Sequence, residues 1–181
     1  LSSENYGIGI DKNQPELKTK IDNILVEKEA EITAIKEKYM NGEEAKYVGV
    51  TSATKDGSKA DKQLVVATNA EFAPWEYKEG NKYYGIDMEI AKLFADSLGK
   101  ELVIQNMDFD AVCLSVGQHK CDLALAGLTI KPDREEYVTF SKSYYKASQK
   151  IIVPADCTEF DNCKTAADVE KILRDKKDSI K

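Results

Sequence analysis

The sequence has little histidine and no long apolar run, and both absences exclude classes of function. His119 is the only histidine among 181 residues. The four cysteines, Cys113, Cys121, Cys157 and Cys163, do not form CxxC pairs. A zinc site needs clustered cysteine and histidine ligands, so neither a metal nor another cofactor is predicted. No apolar run approaches the ~18–20 residues that a membrane-spanning helix needs.

The sequence also has fewer basic than acidic residues. Lys and Arg number 26 against 32 Asp and Glu, which gives a formal net charge of −6. A nucleic-acid partner is therefore not predicted, because binding to phosphates requires a basic face. The chain begins at Leu1 without the pattern of a signal peptide, so we expect a mature or trimmed segment. Its length suffices for one good core or two small ones.

The cysteines have structural interpretations. Cys157 and Cys163 flank "TEFDN" and can close a small disulfide loop if the protein is exported. Cys113 and Cys121 lie in apolar patterns and are expected to be small buried hydrophobic residues. No histidine adjoins any cysteine in sequence, so a thiol enzyme is not supported.

The first 62 residues predict a strand, a long helix and an irregular connection. The stretch "NYGIGID" at 5–11 is typical of a short strand. Apolar residues recur at helical spacing from Pro15, a favoured first helical residue, to Tyr39, and Gly42 can cap the helix. Residues 43–62 lack a sustained period and predict a linker, with a brief strand at "YVGV".

From Gln63 onward the pattern alternates between strands and helices. Strands are predicted at "QLVVAT", "ELVIQNM" and "CDLALAG", the first apolar throughout, as in a strand buried on both faces of a parallel sheet. Helices are predicted at "IDMEIAKLFADSLG", with Asp87 as N-cap, and at "DFDAVCLSVGQHK". A turn of helix at "KPDREEY", an extended run at "YYKASQKIIVP" and a helix over 164–178 follow. The alternation predicts an α/β fold with a mostly parallel sheet flanked by helices.

In such a sheet, ligands bind at the carboxyl ends of the strands. The three strand ends offer Asn69, Glu71, Phe72 and Trp75, then Asp108 and Phe109, and then Gly127, Thr129 and Arg134. The aromatic residues can form an apolar wall, and the guanidinium of Arg134 can hold a carboxylate through two parallel hydrogen bonds. Together these groups suit a small zwitterion. The alternatives are that Arg134 pairs with Asp133 or Glu135 at the surface and that the aromatic residues belong to the core.

The residues at these strand ends carry a family resemblance. The stretches "QLVVATNAEFAPWEYKEGNKYYGIDMEIAKLFADSLG", "MDFDA" and "CDLALAGLTIKPDREEYVTFSKSYY" strongly resemble the polar amino-acid solute-binding proteins of ABC importers, in continuous order over residues 63–153. The closest resemblance is to glutamine-, histidine- and arginine-binding proteins. It implies a periplasmic-binding-protein type II fold, with two α/β lobes that clamp the ligand. It also implies an extracytoplasmic location, periplasmic or as a cell-surface lipoprotein, and a membrane ABC permease as partner.

The resemblance also implies residue roles. Arg134, helped by Thr129, binds the α-carboxylate of the ligand, and Gly127 accepts a hydrogen bond from its α-ammonium group. Phe72 and Phe109 enclose the ligand side chain. Asn69 stands where many relatives carry an acid that contacts this side chain, and Glu71 lies two residues further on.

The chain order departs from the family. A stretch like residues 1–42 normally ends these proteins; here it comes first, and we expect its strand and helices to complete lobe 1. Residues 43–62 are the predicted linker, 63–153 the ligand-binding core of lobe 1, and 155–181 the truncated start of lobe 2. The chain is then either a slice across two tandem binding proteins or a circular permutant. Residues 1–42 dock onto 63–153 of the same chain or, as a domain-swapped homodimer, onto a second copy.

Three functions are compatible with this resemblance. The favoured one is binding of a polar L-amino acid for import. The same lobe could instead belong to the ligand-sensing ectodomain of a membrane receptor. Some dehydratases and lytic enzymes share the fold, but they need a positioned acid or base, and Glu71 is the only candidate near the cleft. We therefore predict that the chain is not an enzyme.

Overall fold

The structure, a computed structural model, describes residues 3–148 and 150–176. The strands are β1 (Ser3–Tyr6), β2 (Gly9–Asp11), β3 (Gln63–Thr68), β4 (Glu71–Phe72), β5 (Glu76–Glu79), β6 (Lys82–Tyr84), β7 (Glu101–Asn106), β8 (Leu123–Ala124), β9 (Val138–Phe140) and β10 (Tyr145–Ser148). The helices are α1 (Pro15–Glu27), α2 (Glu29–Met40), α3 (Ile86–Ser97), α4 (Phe109–Gly117), α5 (Pro132–Glu135) and α6 (Ala166–Lys176). The chain divides into two compact units, one of Asn5–Tyr145 and one of Leu1–Glu4 with Lys146–Lys181.

A five-stranded sheet with the order β7-β3-β8-β2-β9 forms the centre of the larger unit. Strand β3 pairs in parallel with β7 and β8, whereas β2 pairs antiparallel with both β8 and β9. Strand β2 therefore runs against the other four, and the prediction of a mostly parallel α/β sheet is confirmed.

Both faces of this sheet are covered. All six residues of β3 are buried. Leu64 and Val66 belong to the apolar cluster that includes the buried residues of α1, α2 and α3, while Val65 and Ala67 belong to the cluster around α4. Each such Leu or Val contributes about 1.5–3 kcal/mol through burial. Continuous burial explains why the stretch is apolar throughout, as predicted.

The N-terminal segment supplies one of the central strands. Strand β2 lies between β8 and β9, with Gly9 opposite both Ala124 and Phe140. Helix α1 packs against β2 and α3, and α2 packs against α3. These pairings are made within a single chain, so this sheet needs no second copy to provide β2.

The helical stretch predicted between Pro15 and Gly42 is interrupted at Lys28, where the chain divides into α1 and α2. The buried residues of α1 follow helical spacing up to Ile24, but the next position on that face is Lys28. Its ammonium group forms an exposed ion pair with Glu31 instead of entering the core. The break lets α2 begin a new direction in which Ile32 and Tyr39 are buried.

A buried carboxylate fastens α2 to α3. Glu89 accepts hydrogen bonds from Tyr39 Oη at 2.6 Å, from Lys38 Nζ at 2.5 Å and from the Val48 backbone N–H at 3.0 Å. Tyr39 Oη in turn accepts from the Gly85 N–H at 3.1 Å. A buried charge is stable only when it is paired in this way. The network therefore favours one position of α2 against α3.

The connection over residues 43–62 is irregular but attached. Val50 forms an isolated β-bridge with Tyr83. The Ala53 N–H donates to the Leu102 carbonyl at 2.8 Å, and the Ile104 N–H donates to Ser52 Oγ at 2.8 Å. The stretch therefore occupies the exposed edge of β7 rather than crossing as a flexible coil, and it shields backbone groups that could pair with another chain.

Several details differ from the sequence prediction. Strand β9 was not predicted, because its three residues are too short to show a period. Strand β8 retains only two residues of the predicted stretch. Trp75 is 5% exposed and packs edge-on against Tyr6 with centroids 5.0 Å apart, so it belongs to the core and not to a ligand wall.

The smaller unit contains α6, whose first turn is capped by reciprocal bonds. Asp168 Oδ2 accepts from the Thr165 N–H at 2.9 Å, and Thr165 Oγ1 accepts from the Asp168 N–H at 3.3 Å. Residues 177 and 178 of the predicted helix lie outside the described part. Cys157 and Cys163 are free thiols here, so the conditional prediction of a disulfide loop is not borne out. Within residues 3–148 and 150–176, no helix is long and apolar enough to cross a bilayer.

Candidate functional site

Strands β3, β7 and β8 end at one edge of the sheet. Thr68 is in register with Asn106, and the strand ends are tied by further bonds. The Met107 N–H donates to the Thr68 carbonyl at 3.0 Å, and the Ala70 N–H donates to Asn106 Oδ1 at 2.8 Å. The loops that follow these strands are therefore held side by side, where an open α/β sheet binds ligands.

Arg134 is held by two neighbours at this edge. Its Nη1 donates to the Thr129 carbonyl at 3.0 Å, and its Cζ lies 5.1 Å from the centroid of the Phe109 ring, a cation–π distance. Asp133 pairs instead with Lys131 at 2.8 Å. Among the residues the structure describes, no carboxylate forms an ion pair with Arg134. The half-buried guanidinium is thus fixed in place while its charge is not neutralised.

Gly127 adopts a conformation that side chains avoid, with φ at +51°. A Cβ at this position would lie 3.1 Å from Phe72 Cε1 and 3.5 Å from Tyr6 Cε2. The rings of Phe72 and Tyr6 therefore pack closely against the bare backbone of Gly127, and a side chain at this position would press against the Phe72 ring. Phe72 is 47% exposed and Phe109 is 42% exposed, so neither is a core residue.

The remaining predicted site residues differ in how firmly they are placed. Asn69 Nδ2 donates to the Met107 carbonyl at 2.9 Å, which ties the loop after β3 to the loop after β7. Thr129 and Tyr6 face each other in an isolated antiparallel β-bridge, and the backbone hydrogen bonds of this bridge are made by the residues next to them. Glu71 is exposed on β4, in register with Tyr77. The structure thus links Arg134 with Thr129 and Phe109, and Phe72 with Gly127, whereas Glu71 is joined to this group only through β4.

Sequence reasoning missed a pair of buried acids behind Gly127. Asp87 was predicted to cap α3, but Gly85 occupies the cap position and Asp87 makes no capping bond. Its Oδ2 accepts from the Gly127 N–H at 2.8 Å and its Oδ1 accepts from Tyr144 Oη at 2.7 Å. An Asp before an apolar helical run is a cap signal, so the sequence offered no sign that this one turns into the core.

Glu76 lies beside Asp87 and shares its burial. Both carboxyl oxygens of Glu76 are buried, and neither has a hydrogen-bond partner among the described groups. Burial, reinforced by the charge of Asp87, raises the pKa of Glu76 to about 11. Burial raises the pKa of Asp87 only to about 6, because the Gly127 N–H and the Tyr144 hydroxyl donate to its charged form. Near neutral pH, Asp87 is therefore the anion and Glu76 the neutral acid.

This pair predicts a pH dependence of stability. Between the ordinary pKa of 4.5 and about 11, folded Glu76 keeps a proton that the unfolded chain releases. The free energy of unfolding therefore falls as pH rises, by up to about 1.4 kcal/mol per pH unit. Glu76→Gln removes this proton, so between pH 6 and 8 the wild type should lose roughly 2–3 kcal/mol relative to the variant. Urea unfolding at the two pH values measures the difference.

Glu71→Gln is the matched control, because it removes a carboxyl group from the exposed strand β4 of the same hairpin. Parallel stability–pH profiles of wild type and Glu76→Gln would refute the assignment of a buried proton to Glu76.

No group of three or more His, Cys, Asp or Glu side chains among residues 3–148 and 150–176 is placed to hold a metal ion. The site consists of a cation, aromatic rings and backbone groups. Such an arrangement can bind a small molecule that carries both a carboxylate and an ammonium group.

Comparison with known proteins identifies relatives of this chain. The arginine-binding extracellular protein ArtP of Bacillus subtilis is 36% identical over 105 residues, which cover 58% of this chain and 41% of ArtP. A cyclohexadienyl dehydratase of Pseudomonas aeruginosa is 30% identical over 84 residues, 46% of this chain and 31% of that enzyme. The crystal structure of the arginine-bound substrate-binding protein AbpA of Streptococcus pneumoniae shares 41% identity over 43% of this chain and 35% of AbpA, with a TM-score of 0.41.

The chain thus spans about two fifths of the length of the curated arginine-binding relative that it matches. The sequence profile of one family covers most of it, from residue 64 to residue 179. The chain belongs to the bacterial extracellular solute-binding proteins of family 3.

Proposed function

We propose that this chain forms one lobe of an extracytoplasmic protein that binds a polar L-amino acid and delivers it to a membrane ABC permease. The observation that carries the proposal is Arg134, a guanidinium fixed by the Thr129 carbonyl and the Phe109 ring but not neutralised by a carboxylate. A ligand carboxylate supplies the missing counter-charge through paired hydrogen bonds.

The other groups fit the remainder of an amino acid. Within the described residues, no hydrogen bond to the Gly127 carbonyl oxygen is formed, and this oxygen is our proposed acceptor for the ammonium group. The exposed rings of Phe72 and Phe109 enclose the side chain of the ligand. Asn69 and Glu71 are the polar groups proposed to contact the end of that side chain. L-Arginine is the first ligand to test, because ArtP is named for it.

The proposal assigns the parts of the chain to two lobes. Residues 1–42 and 63–153 build the first lobe, residues 43–62 connect them, and residues 155–181 begin the second. The pairing of β2 with β8 and β9 supports the first assignment. A second lobe would add contacts to the ligand and exclude water from it. Without that lobe about half of the contacts are lost, and the binding free energy should be weaker by several kcal/mol.

Binding rather than catalysis is the proposed role, although a dehydratase is among the relatives. A general acid or base must reach the reacting atoms. Glu76 and Asp87 are buried behind Gly127, 1% and 0% exposed, and cannot reach a ligand. Glu71 is exposed, and among the described side chains no partner that would orient it for proton transfer is found.

A titration of the chain with single amino acids tests the function. We expect L-arginine, L-histidine or L-glutamine to shift the amide resonances of Gly127 and Thr129 at millimolar concentration. Agmatine, which is arginine without its carboxylate, should bind at least tenfold more weakly, because it cannot pair with Arg134. The proposal fails if no L-amino acid shifts these resonances or if agmatine binds as well as L-arginine.

A further inference from the structure

The conformation of Gly127 is held from the inside of the lobe. Its N–H donates to the buried Asp87 carboxylate at 2.8 Å, and its φ of +51° is open to glycine but strained for other residues. A glycine has many accessible backbone conformations, so a strong bond to a fixed partner is what selects one of them. Hydrogen bonds to an ionised carboxylate are about twice as strong as neutral ones.

Asp87 is itself immobile. It is fully buried in the first turn of α3, where the helix dipole favours an anion, and Tyr144 Oη holds its second oxygen at 2.7 Å. Its own N–H donates to the Trp75 carbonyl at 2.9 Å. The carboxylate that orients Gly127 is thus tied to α3, to the residue before β5 and to the residue before β10.

We propose that Asp87 is a positioning residue for ligand binding. It orients the Gly127 carbonyl toward the ammonium group of the amino acid and places a buried negative charge behind that glycine. The inference rests on the proposed function, because it concerns how the same site reads the ammonium group.

The buried charge matters because little water screens it. The groups that face Asp87 are the Gly127 N–H, the Tyr144 hydroxyl and the protonated Glu76, and none of them carries a positive charge. The ring of Tyr6, which carries a phenol, flanks Gly127. An ammonium group at the Gly127 carbonyl would therefore be attracted by an anion that none of these three groups neutralises. Protonation of Asp87 removes this attraction, so affinity should decrease as the solution becomes acidic.

The test compares L-arginine binding to the full 181-residue chain with binding to its variants, by NMR titration at pH 7.5 and pH 5. Asp87→Ala removes the acceptor and should weaken binding about tenfold or more. Asp87→Asn keeps an acceptor for the Gly127 N–H but loses the charge. We expect it to bind about three- to tenfold more weakly than wild type at pH 7.5 and to lose the decrease in affinity toward pH 5.

Glu89 offers a matched control on the same helix, since its carboxylate is also buried and accepts three hydrogen bonds, against two for Asp87. Glu89→Ala should lower stability without changing L-arginine affinity more than about twofold. Equal losses of affinity in Asp87→Ala and Glu89→Ala would show general destabilisation and overturn the proposal. Wild-type affinity in Asp87→Asn with an unchanged pH profile would overturn the role of the charge.

A measurement on the ligand-free protein distinguishes failure of this inference from failure of the proposed function. The amide proton of Gly127 should resonate downfield, as expected for a bond to a carboxylate, and should move upfield in Asp87→Asn. If wild type binds no amino acid but this shift is seen, the function is wrong and the orienting role of Asp87 stands. If Asp87→Asn leaves the Gly127 resonance unchanged, the orienting role is refuted whatever the ligand.

Discussion

Replacing Arg134 by alanine is expected to weaken binding of the amino acid by about two to three orders of magnitude, because the ligand carboxylate then enters the site without its counter-charge. The fold should survive. Arg134 is half-buried on the short helix α5, and its contacts are one backbone carbonyl and one ring face. Surface substitutions of this kind change the free energy of unfolding by about 0.5 kcal/mol. NMR titration of the Gly127 and Thr129 amides, in which the variant should show no approach to saturation where the wild type does, and urea unfolding of the same sample measure both effects.

Two neighbouring variants sharpen this result. Arg134→Lys keeps the charge but loses the planar pair of donors, so we expect it to recover only part of the affinity. Lys131→Ala removes a cation three residues away whose partner is Asp133, and it should bind the ligand as wild type does. Retained affinity in Arg134→Ala would exclude Arg134 from the site. Equal losses in Arg134→Ala and Lys131→Ala would indicate a diffuse effect of charge.

The largest loss of stability is expected from Gly85→Ala. Gly85 has φ at +117°, and a Cβ there would lie 2.2 Å from the Trp75 carbonyl oxygen and 2.8 Å from the Glu76 nitrogen. Both contacts are with backbone, which cannot rotate away as a side chain would. The start of α3 must then move from the loop that carries Trp75, and we expect a loss of about 3–5 kcal/mol in the free energy of unfolding. Chemical denaturation at pH 7 measures it.

Two other glycines distinguish the cost of backbone strain from the cost of a steric clash. Gly80, in the hairpin turn, has φ at +59° but open space around the Cβ position, so Gly80→Ala should cost about 1 kcal/mol. Gly57 has open space and no such φ, so Gly57→Ala should be close to neutral. A loss in Gly85→Ala no larger than that in Gly80→Ala would mean that the loop yields at little cost and that the collision is not decisive.

Sequence patterns predicted the strands and helices of the larger unit best where their signal is local. The apolar stretch of β3 and the amphipathic α3 both follow from composition and period. The patterns failed at Lys28, where one charged residue interrupts an apolar stripe, and at β9, where three residues are too few to repeat. Length and periodicity are weak signals over a single turn or a short strand.

The predicted site shows the same division. Arg134 and Phe109 lie more than twenty residues apart in the chain. They follow β8 and β7, which lie on either side of β3, and their placement at one edge of the sheet follows from the parallel direction of these strands. The structure adds that Arg134 lies over the Phe109 ring and binds the Thr129 carbonyl. Trp75 lies in the core, one of the two alternatives left open for it, and Asp87 was assigned wrongly as a helix cap, because the residue type does not specify the direction of a side chain. An aromatic ring can line a ligand site or pack in the hydrophobic core, and an aspartate can cap a helix or join a buried hydrogen-bond network.

The sequence by itself determined the α/β architecture, the family and the residue types available at the strand ends, since these depend on local periodicity and on short ordered motifs. Only the tertiary structure decided which of those residues meet. It inserted β2 from the N-terminal segment between β8 and β9 and turned Asp87 inward to hold Gly127. It also left Arg134 without a carboxylate partner among the described residues. These outcomes depend on distances between residues far apart in the chain, which packing of the whole lobe sets and no local pattern encodes.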